Sequence, residues 1–239
     1  MLDFHSHFLP AVDDGAKGPN VSYGMLSESM AQGTDIICAT PHYYPYEESP
    51  SEFLIRRARS VAALKEHTDS LRASGVLRDS LPTVYLGAEV YYFPTMSSCA
   101  ELPSLSVSRS RLLLVEPPMS PWNDSMLDEI VRAGETFSLK PVIAHVDRYA
   151  LMLGDDSLFA RVKERGLLMQ VNASFFLHRN SRSLALDMLA NGDIDFIGTD
   201  AHDLEDRVPN LGTACTVIRQ SGLSAALDEL DGKMKAYFI

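Results

Sequence analysis

What most narrows the fold is an alternation. Short apolar runs of strand length are separated by longer amphipathic stretches, with no hairpin turn signal between them. The runs fall at residues 2–5, 35–40, 83–86, 112–115, 141–144, 167–171 and 195–198. A helical pattern over 20–33 stops at Gly33. A longer one over 51–73 puts Leu54, Ala58, Val61 and Leu64 on one face and is followed by Gly75. Met126, Leu127, Ile130 and Val131, and then Leu184, Leu186, Met188 and Leu189, repeat that spacing. About seven strands alternating with helices imply an α/β protein built of parallel βα units. The handedness of such crossovers leaves a barrel or an open doubly wound sheet. A chain of 239 residues matches one α/β barrel of ~200–250 residues. With no Gly/Ser linker or repeat, residues 1–239 read as a single domain. The Pro-rich stretch 116–122 reads as a rim loop.

Lys plus Arg number 21 against 32 Asp plus Glu, a formal net charge of −11. That disfavours nucleic acid or an anionic membrane as the main partner. Cys38, Cys99 and Cys215 are odd in number and form no CxxC, so a reducing, cytoplasmic setting fits better than a disulfide framework. No apolar stretch approaches the ~18 residues of a membrane span. Asp3, His5 and His7 stand where a signal peptide needs an apolar core.

The polar residues are informative through their place relative to the strands. His5 and His7 are two apart, so an extended chain points both to one side. Asp14 lies in the loop just after them. His42 follows the second run, Glu89 the third and Glu116 the fourth, while His145 ends the fifth, and Asp200 and His202 follow the seventh. Five of the seven histidines therefore sit at or just beyond a strand's C-terminal end, the face on which βα barrels build their sites. One such histidine is as easily a core residue, and HxH also arises by chance. Nine imidazoles and carboxylates converging on one rim are not explained that way, because buried acids are costly unless paired or coordinating. Multinuclear metal binding accounts for all of them, with donors suited to Mn, Fe or Zn more than to Ca or Mg alone. His67 and His178 lie in helical or loop contexts and read as structural.

The ordered set Asp3-Phe-His-Ser-His7, Ala39-Thr-Pro-His42, Val115-Glu116 and Asp200-Ala-His202 resembles the polymerase-and-histidinol-phosphatase (PHP) superfamily. Asp13-Asp14-Gly-Ala16 and Asp147-Arg148-Tyr149 resemble its bacterial capsular-polysaccharide tyrosine phosphatases of the CpsB/YwqE type. The resemblance implies a distorted (β/α)7 TIM-like barrel holding three divalent ions, manganese first, with Fe, Zn, Co or Mg as alternatives. It would assign His5, His7, Glu89 and Asp200 to one ion, Glu89, Glu116 and His145 to a second, and Asp14, His42 and His202 to the third. Arg148 and Arg207 would contact phosphate. Ala11 stands where the family usually has Gly, and Val146-Asp147 replaces the usual Pro-Glu.

Three divalent ions against Asp14, Glu89, Glu116 and Asp200 would leave a local charge of about +2, which attracts a phosphate dianion into an acidic protein. A phosphomonoesterase follows, with hydroxide as nucleophile and the arginines offering bidentate contacts. The resemblance implies a phosphotyrosine protein as substrate, with the C-terminal tail of a bacterial tyrosine kinase of capsule or exopolysaccharide synthesis as partner. A thiolate phosphatase needs Cys, five residues, then Arg. The sixth residue after each cysteine is Tyr44, Leu105 and Ser221, and there is no GxSxG. Two alternatives stay open: a histidinol-phosphate-type or other small-phosphomonoester phosphatase, and a non-catalytic, metal-stabilised phosphotyrosine-binding regulator. Tyr43, Tyr44, Tyr46, Phe93, Trp122, Phe175 and Phe176 are available either to stack on a phenyl ring at the mouth or to pack the rim.

Overall fold

The computed structural model describes residues 1–78, 80–108, 110–154 and 157–238. Its strands are β1 (Leu2–Ser6), β2 (Ile36–Ala39), β3 (His42–Tyr43), β4 (Thr83–Leu86), β5 (Glu89–Tyr91), β6 (Leu112–Glu116), β7 (Lys140–Ile143), β8 (Leu168–Asn172) and β9 (Phe196–Gly198). The helices are α1 (Pro19–Ala31), α2 (Pro50–Ala73), α3 (Asp124–Phe137), α4 (Val146–Leu153), α5 (Ser157–Glu164), α6 (Arg182–Ala190), α7 (Leu211–Gln220) and α8 (Ser224–Lys235). Every strand pairing is parallel, in the orders β1-β2-β4 and β3-β5-β6-β7-β8-β9.

Each of the seven sequence runs becomes a strand, and two of them continue past a break. Pro41 lacks an N–H and interrupts the second strand line, but its carbonyl accepts from Glu89 N–H at 3.0 Å, so the ladder resumes as β3 beside β5. The bridge between Ser6 and Ala201 joins β9 back to β1. Asp200 N–H donates to His5 O there, and His7 N–H to Ala201 O, both at 2.8 Å. Seven strand lines thus close a curled α/β barrel.

Local sequence sets the elements that hold the barrel. Ser49 caps α2 in a reciprocal box with Glu52, and Pro50 opens its first turn. Asn123 caps α3 by accepting from Met126 N–H at 2.9 Å. Alternation then divides β1: Phe4 packs outward on Phe196, with ring centroids 4.1 Å apart, while Asp3 and His5 face the barrel interior. Gly198 is dictated by that interior, because a Cβ on it would lie 2.5 Å from His5 Cβ. The lower barrel is filled by Leu112 and Leu114, both fully buried, with Glu116 above them on the same face.

Ala11 has φ of +54°, the left-handed region that favours glycine. Ala11→Gly is therefore expected to stabilise the fold by about 0.5–1 kcal/mol, roughly 1–4 °C in Tm for a chain of this size. Thermal denaturation checks this, and an unchanged or lower Tm would contradict it.

Candidate metal centre

The barrel brings all nine candidate residues to one end. His5 lies in β1 and His7 one residue beyond it. His42 and Glu89 open β3 and β5 and are register partners. Glu116 closes β6, His145 is the residue before α4, and Asp200 and His202 follow β9. Asp14 reaches the cluster from the loop after β1, which folds back on His7. Gly15 makes that turn possible, since a Cβ there would sit 2.1 Å from His7 O.

Among the described residues, ligand atoms fall within 4.8 Å of one another in three groups: His5, His7, Glu89 and Asp200; His7, Asp14, His42 and His202; and His42, Glu89 and Glu116. His145 joins through Nε2, 2.8 Å from Glu89 Oε1 and 3.7 Å from Glu116 Oε1. This grouping differs in detail from the one the resemblance implies. His7 also stands with Asp14 and His202, and His42 also stands with Glu89 and Glu116.

Hydrogen bonding decides what these groups can do. His7 Nδ1 meets the Asp13 carboxylate at 2.7 Å, and His5 Nδ1 meets the Gln170 carbonyl oxygen at 3.1 Å. Both partners only accept, so both Nδ1 atoms carry hydrogen and both Nε2 atoms present lone pairs. Those two Nε2 atoms face each other at 3.0 Å. Glu89 Oε2 is 3.2 Å from each, and Asp200 Oδ1 is 3.7 and 3.5 Å away. Four electron-pair donors aimed at one buried point call for a positive charge between them, a proton or a metal ion. His202 repeats the pattern, with Nδ1 donating to Asp200 O at 2.9 Å and Nε2 left without a hydrogen-bond partner 3.3 Å from Asp14. The donor set therefore fits divalent transition metals.

With no cation in place, the buried acids draw protons onto the positions a metal would take. Burial disfavours a charge on His7, yet Asp13 and Glu89 outweigh it and lift its pKa to about 10. Burial likewise opposes the Glu89 carboxylate, but His5, His42 and His145 hold its pKa well below the usual range. Burial and then the Glu89 charge push Glu116 up to about 7. Backbone strain sits here too: His145 (φ +32°) and Asp200 (φ +53°) both lie at positive φ without being glycine.

Both arginines reach the cluster. Arg148 pairs with Asp200 Oδ2, and Arg207 Nη2 lies 2.7 Å from Asp200 Oδ1. Arg148 is not at a strand end, as its spacing from His145 suggests, but in the first turn of α4, where its N–H donates to His145 O at 2.9 Å. The two guanidiniums line a cavity of about 410 Å³ with Leu151, Leu177 and Val208 on its walls.

Sequence reasoning missed the supports of these ligands. Asp13, read only as a family marker, orients His7 and also accepts from the His42 and Gly15 N–H groups, each at 2.9 Å. Its signal was a second acid beside a presumed ligand. Gln170 is hidden in a run that reads as apolar and Asn172 directly follows that run, although an amide in a buried strand is itself a signal. Asp147 is buried, accepts from Asn172 N–H at 2.9 Å and is pushed up to about 7 by that burial.

Most of the candidate mouth aromatics belong to the core. Tyr43 packs on Phe53, Trp122 packs edge-on against Tyr149, and Phe93, Phe175 and Phe176 are buried. Tyr46 is largely exposed. Tyr44 alone of that group stacks on a site residue, with its ring centroid 5.2 Å from that of His42. His67 stays in α2 against Tyr23, whereas His178 borders the arginine-lined cavity. Cys38 is fully buried and its thiol is pushed well above its ordinary pKa, and burial raises Cys215 to about 11. Neither is a nucleophile at neutral pH.

A family model described as capsular polysaccharide synthesis, CpsB/CapC, matches residues 1–230. The chain belongs to this CpsB/CapC family. Among relatives, the tyrosine-protein phosphatase CpsB of Streptococcus agalactiae serotype V is 27% identical over 231 residues, covering 91% of this chain and 89% of that one. The tyrosine-protein phosphatase YwqE of Bacillus subtilis is 28% identical over 220 residues, covering 87% and 79%. A solved structure described under YwqE from Bacillus subtilis and CpsB from Streptococcus pneumoniae, "unique metal-dependent tyrosine phosphatases", superposes with a TM-score of 0.81 at 22% identity over 100% of this chain and 94% of that one. A phosphotriesterase homology protein from Escherichia coli shares the fold more loosely, with a TM-score of 0.52 at 11% identity over 95% and 94%. Family members thus share the barrel on which this cluster is mounted.

Proposed function

We propose that this chain is a metal-dependent protein-tyrosine phosphatase of capsule or exopolysaccharide synthesis. The observation that carries the reading is the pair of Nε2 lone pairs on His5 and His7, 3.0 Å apart, with Glu89 beside both. The names of the family relatives, tyrosine-protein phosphatases matched over most of their length, support the substrate class. Three divalent ions, manganese foremost, would be held by His5, His7, Glu89 and Asp200, by Glu89, Glu116 and His145, and by Asp14, His42 and His202. When bound they supply Lewis acidity, which activates water and neutralises charge developing on phosphoryl oxygens.

The chain's own residues do the rest. Asp13 holds the His7 ring in the orientation that keeps Nε2 inward. Arg148 and Arg207, both partly exposed and converging on Asp200, offer planar forks to the phosphoryl oxygens of an incoming ester. Tyr44 flanks the cluster on the His42 side and supplies a face for the substrate's ring. The natural partner on this reading is a phosphotyrosine segment of a bacterial tyrosine kinase, its C-terminal tail. No helix among the described residues is long and apolar enough to cross a membrane.

A panel of phosphotyrosine peptide, phosphoserine peptide and histidinol phosphate, presented to manganese-loaded protein, tests this. The expected result is a kcat/KM for phosphotyrosine peptide about tenfold or more above the other two, about 1.4 kcal/mol of discrimination. Preference for histidinol phosphate would favour the small-ester reading, and binding without turnover the regulator.

A further inference from the structure

Strand β8 carries two amides, Gln170 and Asn172, that face the barrel interior. Gln170 is fully buried, and all of its polar atoms are committed. Its Oε1 accepts from the His145 backbone N–H at 2.7 Å and faces His5 Nδ1 at 3.1 Å. Its Nε2 donates to Asn172 Oδ1 at 3.0 Å, and Asn172 Nδ2 lies 3.4 Å from Asp200 Oδ2. A backbone N–H can only donate, so the end of Gln170 touching His145 must be its carbonyl. That choice forces His5 to carry hydrogen on Nδ1 and leaves Nε2 bare toward Glu89 and His7. It also points the Asn172 amide group, not its carbonyl, at the Asp200 carboxylate.

We infer that Gln170 is a positioning residue that sets the tautomer of His5 and pins the strained turn at His145, so that one amide orders ligands of two separate ions. The inference rests on the metal-centre reading above. His145 has φ of +32°, a conformation that needs a fixed partner, and the Gln170 carbonyl supplies one. The Asp14, His42 and His202 group has no contact with this amide and lies outside its reach.

The test uses two variants of the full chain. Gln170→Met keeps the length of the side chain and removes both polar ends, whereas Gln170→Glu keeps the acceptor and exchanges the donor for a second, charged acceptor. Equilibrium dialysis with Mn2+ alone should show Gln170→Met weakened about 10- to 100-fold at two ions and unaltered at the third. Gln170→Glu should bind within about threefold of wild type, since a carboxylate accepts from the same two donors and raises the basicity of His5. Wild-type affinity at all ions in Gln170→Met would overturn the inference. So would an equal loss in both variants, because keeping the acceptor would then make no difference. Wild-type protein that binds no Mn2+ would instead overturn the metal-centre reading itself.

Discussion

Glu89→Gln is expected to reduce phosphotyrosine turnover by about a thousandfold or more while leaving the fold intact. Glu89 is fully buried, and its two oxygens lie within 3.2 Å of imidazole nitrogens from His5, His7, His42 and His145. No other carboxylate in the cluster is so placed, which fits the sharing of Glu89 by two ions that the family resemblance implies. Gln has the same shape but lacks the charge, and its NH2 would point a donor at cations that need an electron pair. Cation-based charge stabilisation is worth several kcal/mol, and about 4 kcal/mol corresponds to a thousandfold in rate. Steady-state kinetics together with metal content check the result. Wild-type turnover with wild-type metal content in Glu89→Gln would remove Glu89 from the proposed centre.

Arg148→Ala separates metal holding from phosphate recognition. Arg148 touches Asp200 from the first turn of α4 and is bound to none of the presumed ligand nitrogens. Its loss should keep the metal content and lower turnover by roughly 30- to 1,000-fold, the ~2–4 kcal/mol typical of one lost charge-assisted contact to a developing oxyanion. Arg148→Lys should recover only part of it, because an ammonium supplies the charge without the fork. Full activity in Arg148→Ala would make the residue a structural partner of Asp200 and nothing more.

The strands and the rim were legible because each rests on a local rule. Apolar runs without hairpin turns dictate parallel strands, and a polar residue at the end of such a run is placed on the barrel's C-terminal face by geometry alone. What was illegible depends on tertiary contact. The two-residue strand β3 beyond Pro41 exists only because Glu89 N–H finds the proline carbonyl. The helix α4 follows His145, which is left-handed and offers no side-chain cap, so no N-terminal signature marks it in the sequence and the spacing of Arg148 from His145 suggests a strand end instead. Phe175 and Phe176 look like loop aromatics in sequence, but the short 3-10 turn Ala173–Phe176 tucks both into the core. Gln170 sits between Met169 and Val171, and only the barrel reveals that its face is the one that meets His5.

The most direct measurement is metal content coupled to hydrolysis of a phosphotyrosine peptide before chelation, after chelation and after re-addition of a single metal. An imidazole-rich site suits Mn2+ better than Mg2+. Chelated protein should therefore remain folded and inactive, with Mn2+ restoring turnover more fully than Mg2+ as about three ions per chain return. Full turnover by folded protein shown to contain no metal would contradict the account.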